Sequence, residues 1–529
     1  MNQTTKPLGW CATVLVVAGI STMTPAHAQS TALDSTWTYA SGSSGWIPDT
    51  VSIGDEGQRV FSAVGTFGSS ARLFSESATP IATDAHTEMS YRHMVDSSEN
   101  CGRRTWLHYR GASVTSPANP ELRIYDTDNS SPAVTYTFPF TVSQPFGGTQ
   151  ISDEGDRVCA WVYNFAALET VVAVFEGSST TPSVYTTINT FVEPKGAKLS
   201  KDGTRLYMVT GPKTFIMDTT TGDLIQTLYN FYSVGNAQAL SPNGDMFAQG
   251  SNSNELNIYR QQGGSYSSWY SHQISGDYES GRACFSGDGR TLVATFDGTL
   301  NDRIRVIVLD LDQPVPVVKF DHELFGGGSL ALATSDLEVD HEGRRAFVGT
   351  WGDELGLVPE VMVFGASSDG SWTQTHSVDL SGSVRDLDID RDGLYLAVAS
   401  KTVHATQVGG GGRYDLYELP DASGMRLIGT PTAGGTIEVR VSCPPDKTGL
   451  LLASDNLATT PMNFGGTGRL FLERSGLQFL SRTTENGSGE LVFTLSLATA
   501  SAGDTIHVQG LVFGPRRLSP GALTIEVTD

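Results

Sequence analysis

One short pattern returns eight times along this chain, and it limits the available folds more than any other feature. The copies are SIGDEGQRVFSAVG from Ser52, ISDEGDRVCAWVY from Ile151, LSKDGTRLYMVTG from Leu199, LSPNGDMFAQG from Leu240, FSGDGRTLVATF from Phe285, VDHEGRRAFVGTW from Val339 and DLDIDRDGLYLAVAS from Asp386. A weaker copy, VDSSENCGRRTWLHY from Val95, has Cys101 where the others place an acid or Asn. Apolar positions lead into Ser or Asp, then an acid or Asn, then Gly, a polar step and an apolar strand. The acid or amide accepts hydrogen bonds from a turn backbone, and Gly supplies the positive φ a hairpin bulge needs. Each copy therefore reads as a tight hairpin between two strands. The turn glycines, Gly57, Gly102, Gly155, Gly203, Gly244, Gly289, Gly343 and Gly393, lie 41 to 54 residues apart. That interval holds one four-stranded sheet with generous loops.

A third strand follows most copies, as in LRIYDTD from Leu122, VVAVFEG from Val171 and YDLYEL from Tyr414, and fourth strands are expected at VTYTFPF from Val134 and SWTQTHSVDL from Ser371. The last repeat lacks a fourth strand, whereas STWTYASG from Ser35 reads as a fourth strand with no repeat in front of it. Pairing the two would close a ring and leave no interior edge. Abundant Gly (58) with few charged residues (17%) suits short strands and tight turns rather than helices. The repeats resemble those of the WD-repeat, YVTN and quinoprotein-dehydrogenase-like propeller superfamily, whose blades open on the same apolar-S-x-D-G-x-x-apolar hairpin. The resemblance spans about residues 35 to 424. It implies an all-β, eight-bladed β-propeller closed by an N-terminal strand, or a seven-bladed one if the copy at Val95 to Tyr109 is an insertion. From Met425 six strands spaced by Gly, Pro and polar turns, among them TIEVRVSC from Thr436 and ELVFTLSL from Glu490, suggest a small β-sandwich over 425–529. It resembles C-terminal β-modules on secreted proteins of environmental bacteria.

The first 28 residues, with Lys6, an apolar stretch from Ala12 to Ile20 and Ala26-His27-Ala28 ahead of Gln29, read as a secretory signal with an A-x-A cleavage site. No other stretch is long and apolar enough to cross a bilayer. The expected address is therefore secreted, extracellular or periplasmic, and the chain is expected to be a monomer. Four cysteines outside the leader, Cys101, Cys159, Cys284 and Cys443, have no C-x-x-C spacing and make neither a disulfide scaffold nor a zinc site. A formal charge of -23 repels phosphate backbones, so nucleic acid is not an expected partner.

Chemistry is less legible than fold. No G-x-S-x-G, H-E-x-x-H, haem C-x-x-C-H or phosphate-loop motif occurs, and no cofactor is expected. Asp388, Asp390 and Asp392 followed by Gly393 form half of a calcium loop, but position 12 is Ala399 rather than Glu. Elsewhere the first ligand position of that pattern is Ser52, Ser97, Gln150, Lys198, Ala239, Cys284 or Glu338, so calcium is weakly indicated and the turn explains Asp392 and Gly393. In the resembled superfamily ligands usually bind on the face opposite these hairpins. Long loops there belong to the sixth, seventh and eighth repeats and could bring together Asp297, Asp302, Arg303, Trp351, Asp353, Glu354, Lys401 and His404, joined by Trp46 and Asp49 from the loop entering the first and by Arg282 from just before a first strand. The expected function is an exported, non-catalytic platform for a protein, glycan or small-molecule ligand. The alternative is a lactonase, dehydrogenase or glycan-cleaving enzyme using those same loops.

Overall fold

In the computed structural model residues 31–527 are described, apart from 41–46, 55–58, 66–68, 76, 87–93, 100, 110–116, 127, 144–145, 230–233, 252–253, 301, 367–369, 408–409, 420–424 and 429–430, and, in the last hundred residues, 443–447, 455–456, 464–468, 473–476, 485–489, 498–503, 514–516 and 519–522. Every regular element among them is a β-strand. Eight antiparallel sheets follow one another, each with its strands in meander order. Their first strands are Ile47–Ile53, Met94–Ser97, Gly147–Ile151, Gly196–Leu199, Val234–Leu240, Tyr278–Phe285, Thr334–Val339 and Val384–Ile389, which number the sheets one to eight. In sheet eight the place of the fourth strand is taken by Ser35–Ala40, antiparallel to Gly412–Glu418. Thr31–Ala32 adds a parallel strand to the outer edge of sheet seven.

The first strands touch in sequence from sheet one to sheet eight, and the eighth touches the first. Second and third strands are covered on both faces by the neighbouring sheets and are apolar almost throughout, as in Arg157–Asn164 and Glu169–Glu176. Fourth strands meet water on one side and alternate, as in Val184–Ile188. The core is accordingly divided into wedges, one between each pair of consecutive sheets, including one between sheets eight and one that holds Trp37, Val51, Phe74 and Tyr414. No helix of the described residues is long and apolar enough to cross a membrane.

The hairpins are built as their sequence suggests in sheets three to six. Ser200 Oγ accepts from Arg205 N at 2.9 Å and donates to Asp202, which also receives Thr204 N. Ser286 and Asp288 repeat the arrangement. Gly155, Gly203, Gly244, Gly289, Gly343 and Gly393 have φ between +61° and +74°, a region L side chains rarely enter. Two expectations need correction. In sheet two the positive-φ position is Cys101 (φ 53°), whose N–H closes the turn on Ser98 O as Gly155 N does on Ser152 O. The turn is as long as that of sheet three, Ser98 to Arg103 matching Ser152 to Arg157, and Cys101, not Gly102, stands in the glycine place. In sheet eight the turn acceptor is Asp390, not Asp392: Asp390 Oδ1 takes Leu394 N at 2.7 Å and Tyr395 N at 2.8 Å, standing where other turns use Ser.

Beyond residue 425 three more groups of strands occur. Met425–Ile428, Thr436–Ser442 and Glu490–Ser496 form one sheet, while Gln478–Thr484, Thr448–Ser454, Thr505–Phe513, Arg517–Leu518 and Leu523–Glu526 form a second. Their facing side chains, including Val439, Phe493, Leu451 and Val508, share one core. Leu457–Asn463 and Arg469–Leu472 make a separate hairpin.

Candidate functional site

The first strand of each sheet has a free edge toward the axis, and a free edge carries unpaired N–H groups. Side chains of the preceding sheet satisfy several of them. Asp386 Oδ2 accepts Val51 N at 2.7 Å and Asp388 Oδ2 accepts Ile53 N at 2.8 Å, joining sheet eight to sheet one. Asp336 does the same for Leu387 N, Asp96 for Ile151 N and Gln150 for Leu199 N. Backbone bonds tie the turns in the opposite sense, with the preceding sheet donating: Glu99 N to Asp153 O, Asp153 N to Lys201 O, Lys201 N to Pro242 O and His341 N to Arg391 O. Pro242 has no N–H and cannot continue this chain of donors.

These side chains line an axial channel of about 250 Å³ that runs to the hairpin face, past Ser52, Asp96, Gln150, Lys198, Ala239, Cys284, Glu338 and Asp388. Each is two residues before the Ser, Asp or Gly that opens its turn. Counted back from Ser98, the axial residue of sheet two is Asp96, not Ser97. The carboxylates reach the channel water yet are surrounded by protein. Burial, reinforced by neighbouring acids, lifts Glu338 to about 8, Asp96 to about 7 and Asp388 to about 6, against the pull of Lys198 on Glu338 and Asp96. Burial, with Asp336 beside it, also raises Asp386. Cys284 faces Glu338 at 3.5 Å, and burial beside that carboxylate raises its thiol well above the usual range, which makes it a poor nucleophile. Among the described residues no three His, Cys, Asp or Glu are grouped to hold a metal ion. Asp388, Asp390 and Asp392, weighed as calcium ligands, go to different tasks: an edge cap, a turn acceptor and a turn residue whose carbonyl receives Arg345.

At the opposite end of the axis lies a cavity of about 460 Å³, lined by Glu279, Ser280, Arg282, Asp297, Gly298, Thr299, Ala333, Thr334, Ser335, Trp351, Val384 and Arg385. It is made by a repeated irregularity. The first strands of sheets six, seven, eight and one each shift register against the second strand near this end, at Ser280/Ala283, Thr334/Asp336, Val384/Asp386 and Pro48/Thr50. A bulge leaves one residue unpaired and re-aims its side chain. The residues so displaced include Arg282, Ser335 and Arg385, and all three line the cavity. Arg282 N is held by Thr295 Oγ1 at 2.8 Å, and its guanidinium Nε donates to Ser335 O at 2.8 Å. Asp297 Oδ1 accepts both Thr334 N (3.0 Å) and Thr334 Oγ1 (2.8 Å); burial raises its pKa to about 6 while Thr334 and Arg282 pull the other way.

The structure thus brings together three of the residues selected from sequence, Arg282, Asp297 and Trp351, and separates the rest. Asp302 and Arg303 lie 3.8 Å apart, with the Arg303 guanidinium over Tyr278 and 3.6 Å from Glu323. Asp353 receives Gly327 N and Val358 N, and Glu354 receives Ser329, so both brace loops. Lys401 donates to the carbonyls of Gln407, Ala405 and His404. His404 is buried, with Nδ1 2.8 Å from Thr406 Oγ1 and its ring edge-on to Trp351, so it stands behind the cavity wall. Trp46 and the side chain of Asp49 lie outside the described residues. Sequence reasoning missed Arg385, Ser335 and Glu279 because bulges carry no reliable local signal. It missed the axial acids although their column in the repeat was visible. Cys101, Cys159 and Cys284 are free thiols, and Cys443 lies outside the described residues.

No family model matches this sequence, and neither does any curated protein. Among solved structures the chain is similar to the C-terminal WD40 domain of Sif2, with a TM-score of 0.51 at 12% identity over 74% of this chain and 99% of that one. The β-propeller domain of Myceliophteria thermophila Cps50 (Swd1) aligns with a TM-score of 0.42 at 9% identity, over 73% and 99% respectively. The first likeness shows the fold: this chain contains a WD40-like β-propeller.

Proposed function

We propose that this WD40-like β-propeller is an exported, eight-bladed binding platform, closed by the strand Ser35–Ala40, carrying a β-sandwich module over 425–529, and taking its ligand at the bulged mouth of the sixth, seventh and eighth blades. The leader with Ala26-His27-Ala28 supports export, and the eight sheets with their closed cycle of contacts support the blade count. One observation carries the functional part: three consecutive sheets break register at one level and turn the displaced residues into a single cavity of about 460 Å³ beside Trp351. That volume falls in the range of ~300–1,000 Å³ typical of small-molecule sites.

The enzymatic alternative draws on Asp297, a carboxyl raised to about 6 with a hydroxyl 2.8 Å away. Geometry argues against a reacting role. The oxygen that meets Thr334 Oγ1 also caps the Thr334 N–H, the service Asp388 performs for Ile53. Fold likeness alone decides nothing here, since one fold hosts many functions. The discriminating experiment is a thermal-shift screen of the full chain against sugars, amino acids and organic acids, repeated on Trp351→Ala and Asp297→Asn, with lactone and glycoside turnover measured in parallel. The platform reading expects shifts that vanish in Trp351→Ala, survive in Asp297→Asn, and come without turnover. Turnover abolished by Asp297→Asn would establish the enzyme instead.

A further inference from the structure

Arg282 carries its charge into the cavity without an ion pair, although it draws down the pKa of Asp297 in the same cavity. Its Nε and Nη1 donate to the carbonyls of Ser335 (2.8 Å) and Gly281 (3.1 Å), and among the described residues it forms no ion pair. Carbonyl dipoles orient a guanidinium but leave its net charge in place, and a half-buried cation without a counter-ion is costly unless a ligand supplies one. The case is sharper in a chain of net charge -23, where acids are plentiful. The nearest cavity acid, Asp297, has Oδ1 committed to Thr334. The bulge in sheet eight brings a second guanidinium, Arg385, to the same wall, and its charge is felt by Lys401 behind it. Trp351, a half-buried indole, and Glu279, an exposed acid, line the same cavity.

We propose that this cavity binds a small organic monocarboxylate, its carboxylate against Arg282 and Arg385 and its body against Trp351. The proposal rests on the platform reading above and names its ligand class. A carboxylate matches the planar fork of a guanidinium with two parallel hydrogen bonds. The indole gives an organic body an apolar surface that bare phosphate or sulfate would leave empty. Glu279 and Asp297 disfavour a second negative charge on the ligand, which selects a monoanion over a polyanion. The two bonds to carbonyls fix the Arg282 fork beforehand, so little side-chain entropy is lost when the ligand arrives.

Isothermal titration of the full chain with two matched pairs, glucuronate against glucose and benzoate against benzamide, together with sulfate, tests this. At least one acid is expected to bind about tenfold or more tightly than its neutral partner. Arg282→Met should lower that affinity about tenfold or more, and Arg385→Met, a change at an exposed side chain, should lower it several-fold. The proposal is overturned if neither acid outbinds its neutral partner at concentrations up to ~10 mM, if sulfate binds as tightly as the acids, or if both arginine variants keep full affinity. A neutral sugar or amide that binds, loses affinity in Trp351→Ala and ignores both arginine changes would remove the carboxylate while leaving the platform intact.

Discussion

Sheets two, three and four form one side of the ring, and sheets six, seven, eight and one the other; the two sides handle the same strand differently. In sheets two to four the first strand pairs with the second in unbroken register. On the other side every first strand slips once near the mouth. The regular side fills its mouth by packing: a Cβ on Gly148 would meet the Trp161 ring at 2.3 Å, and one on Gly196 would meet Gln238 at 2.6 Å. The slipped side opens a cavity and points arginines into it. In sheets six, seven and eight the slipped residues line the cavity, whereas sheets one and five also slip but, among the described residues, contribute none to its lining.

The sharpest way to probe that contrast is through the edge caps. Asp388→Ala removes the acceptor of Ile53 N where sheet eight meets sheet one, and should cost about 2 kcal/mol in denaturant unfolding of the full chain. The matching change on the regular side, Gln150→Ala, frees Leu199 N from a neutral acceptor and should cost about 1 kcal/mol. Equal costs would mean that charge adds nothing to these caps. Gly148→Ala tests the closed wall directly. Its methyl has no room beside Trp161, so a loss of about 1–2 kcal/mol is expected, and a neutral result would show that the regular mouth is as yielding as the slipped one.

A third test uses pH. Glu338 at about 8 and Asp96 at about 7 keep their protons in the folded chain at pH values where an unfolded carboxyl, near 4, has lost them. Their contribution is therefore full below pH 4 and is lost as pH rises through 7 and 8. The groups facing them, Asp336, Asp388, Lys198 and Cys284, set the size of the loss. The melting temperature should fall between pH 6.5 and pH 9, and Glu338→Gln should flatten that fall; an unchanged slope would remove Glu338 as its source. The smallest effect is expected outside the axis, in a loop on the regular side. Leu168 has φ 55° and an exposed side chain, next to Phe191, whose N–H it receives at 3.0 Å. Leu168→Gly relieves the backbone and should stabilise by about 0.5 kcal/mol, whereas a loss would show that the leucine side chain contributes more than its strain.

The turn glycines, the acceptors beside them and the third and fourth strands were readable because each depends on residues close in sequence. Where the reading failed, the error was one of register. In the Ser98 turn the glycine stands one place late, so Cys101 takes the positive-φ role and Asp96, not Ser97, the axial one. In DLDIDRDG, Asp388 looked like a cation ligand because its true partner was invisible: Ile53 lies 335 residues away. Of the proposed site, Asp297 and Trp351 were found from loop length and Arg282 from its place just before a first strand, while Arg385 and Ser335 were not found, since a bulge is decided by pairing with the next strand.

By itself the sequence determined the repeat: hairpin, strand count and spacing follow from side chains that satisfy their own turn and from apolar strands that need cover on both faces. Only the tertiary structure decided what lies along the axis and at its mouth. Those places are built from one side chain per repeat, and the neighbour that gives each its burial, its proton affinity and its partner is chosen by the packing of neighbouring sheets rather than by adjacency along the chain.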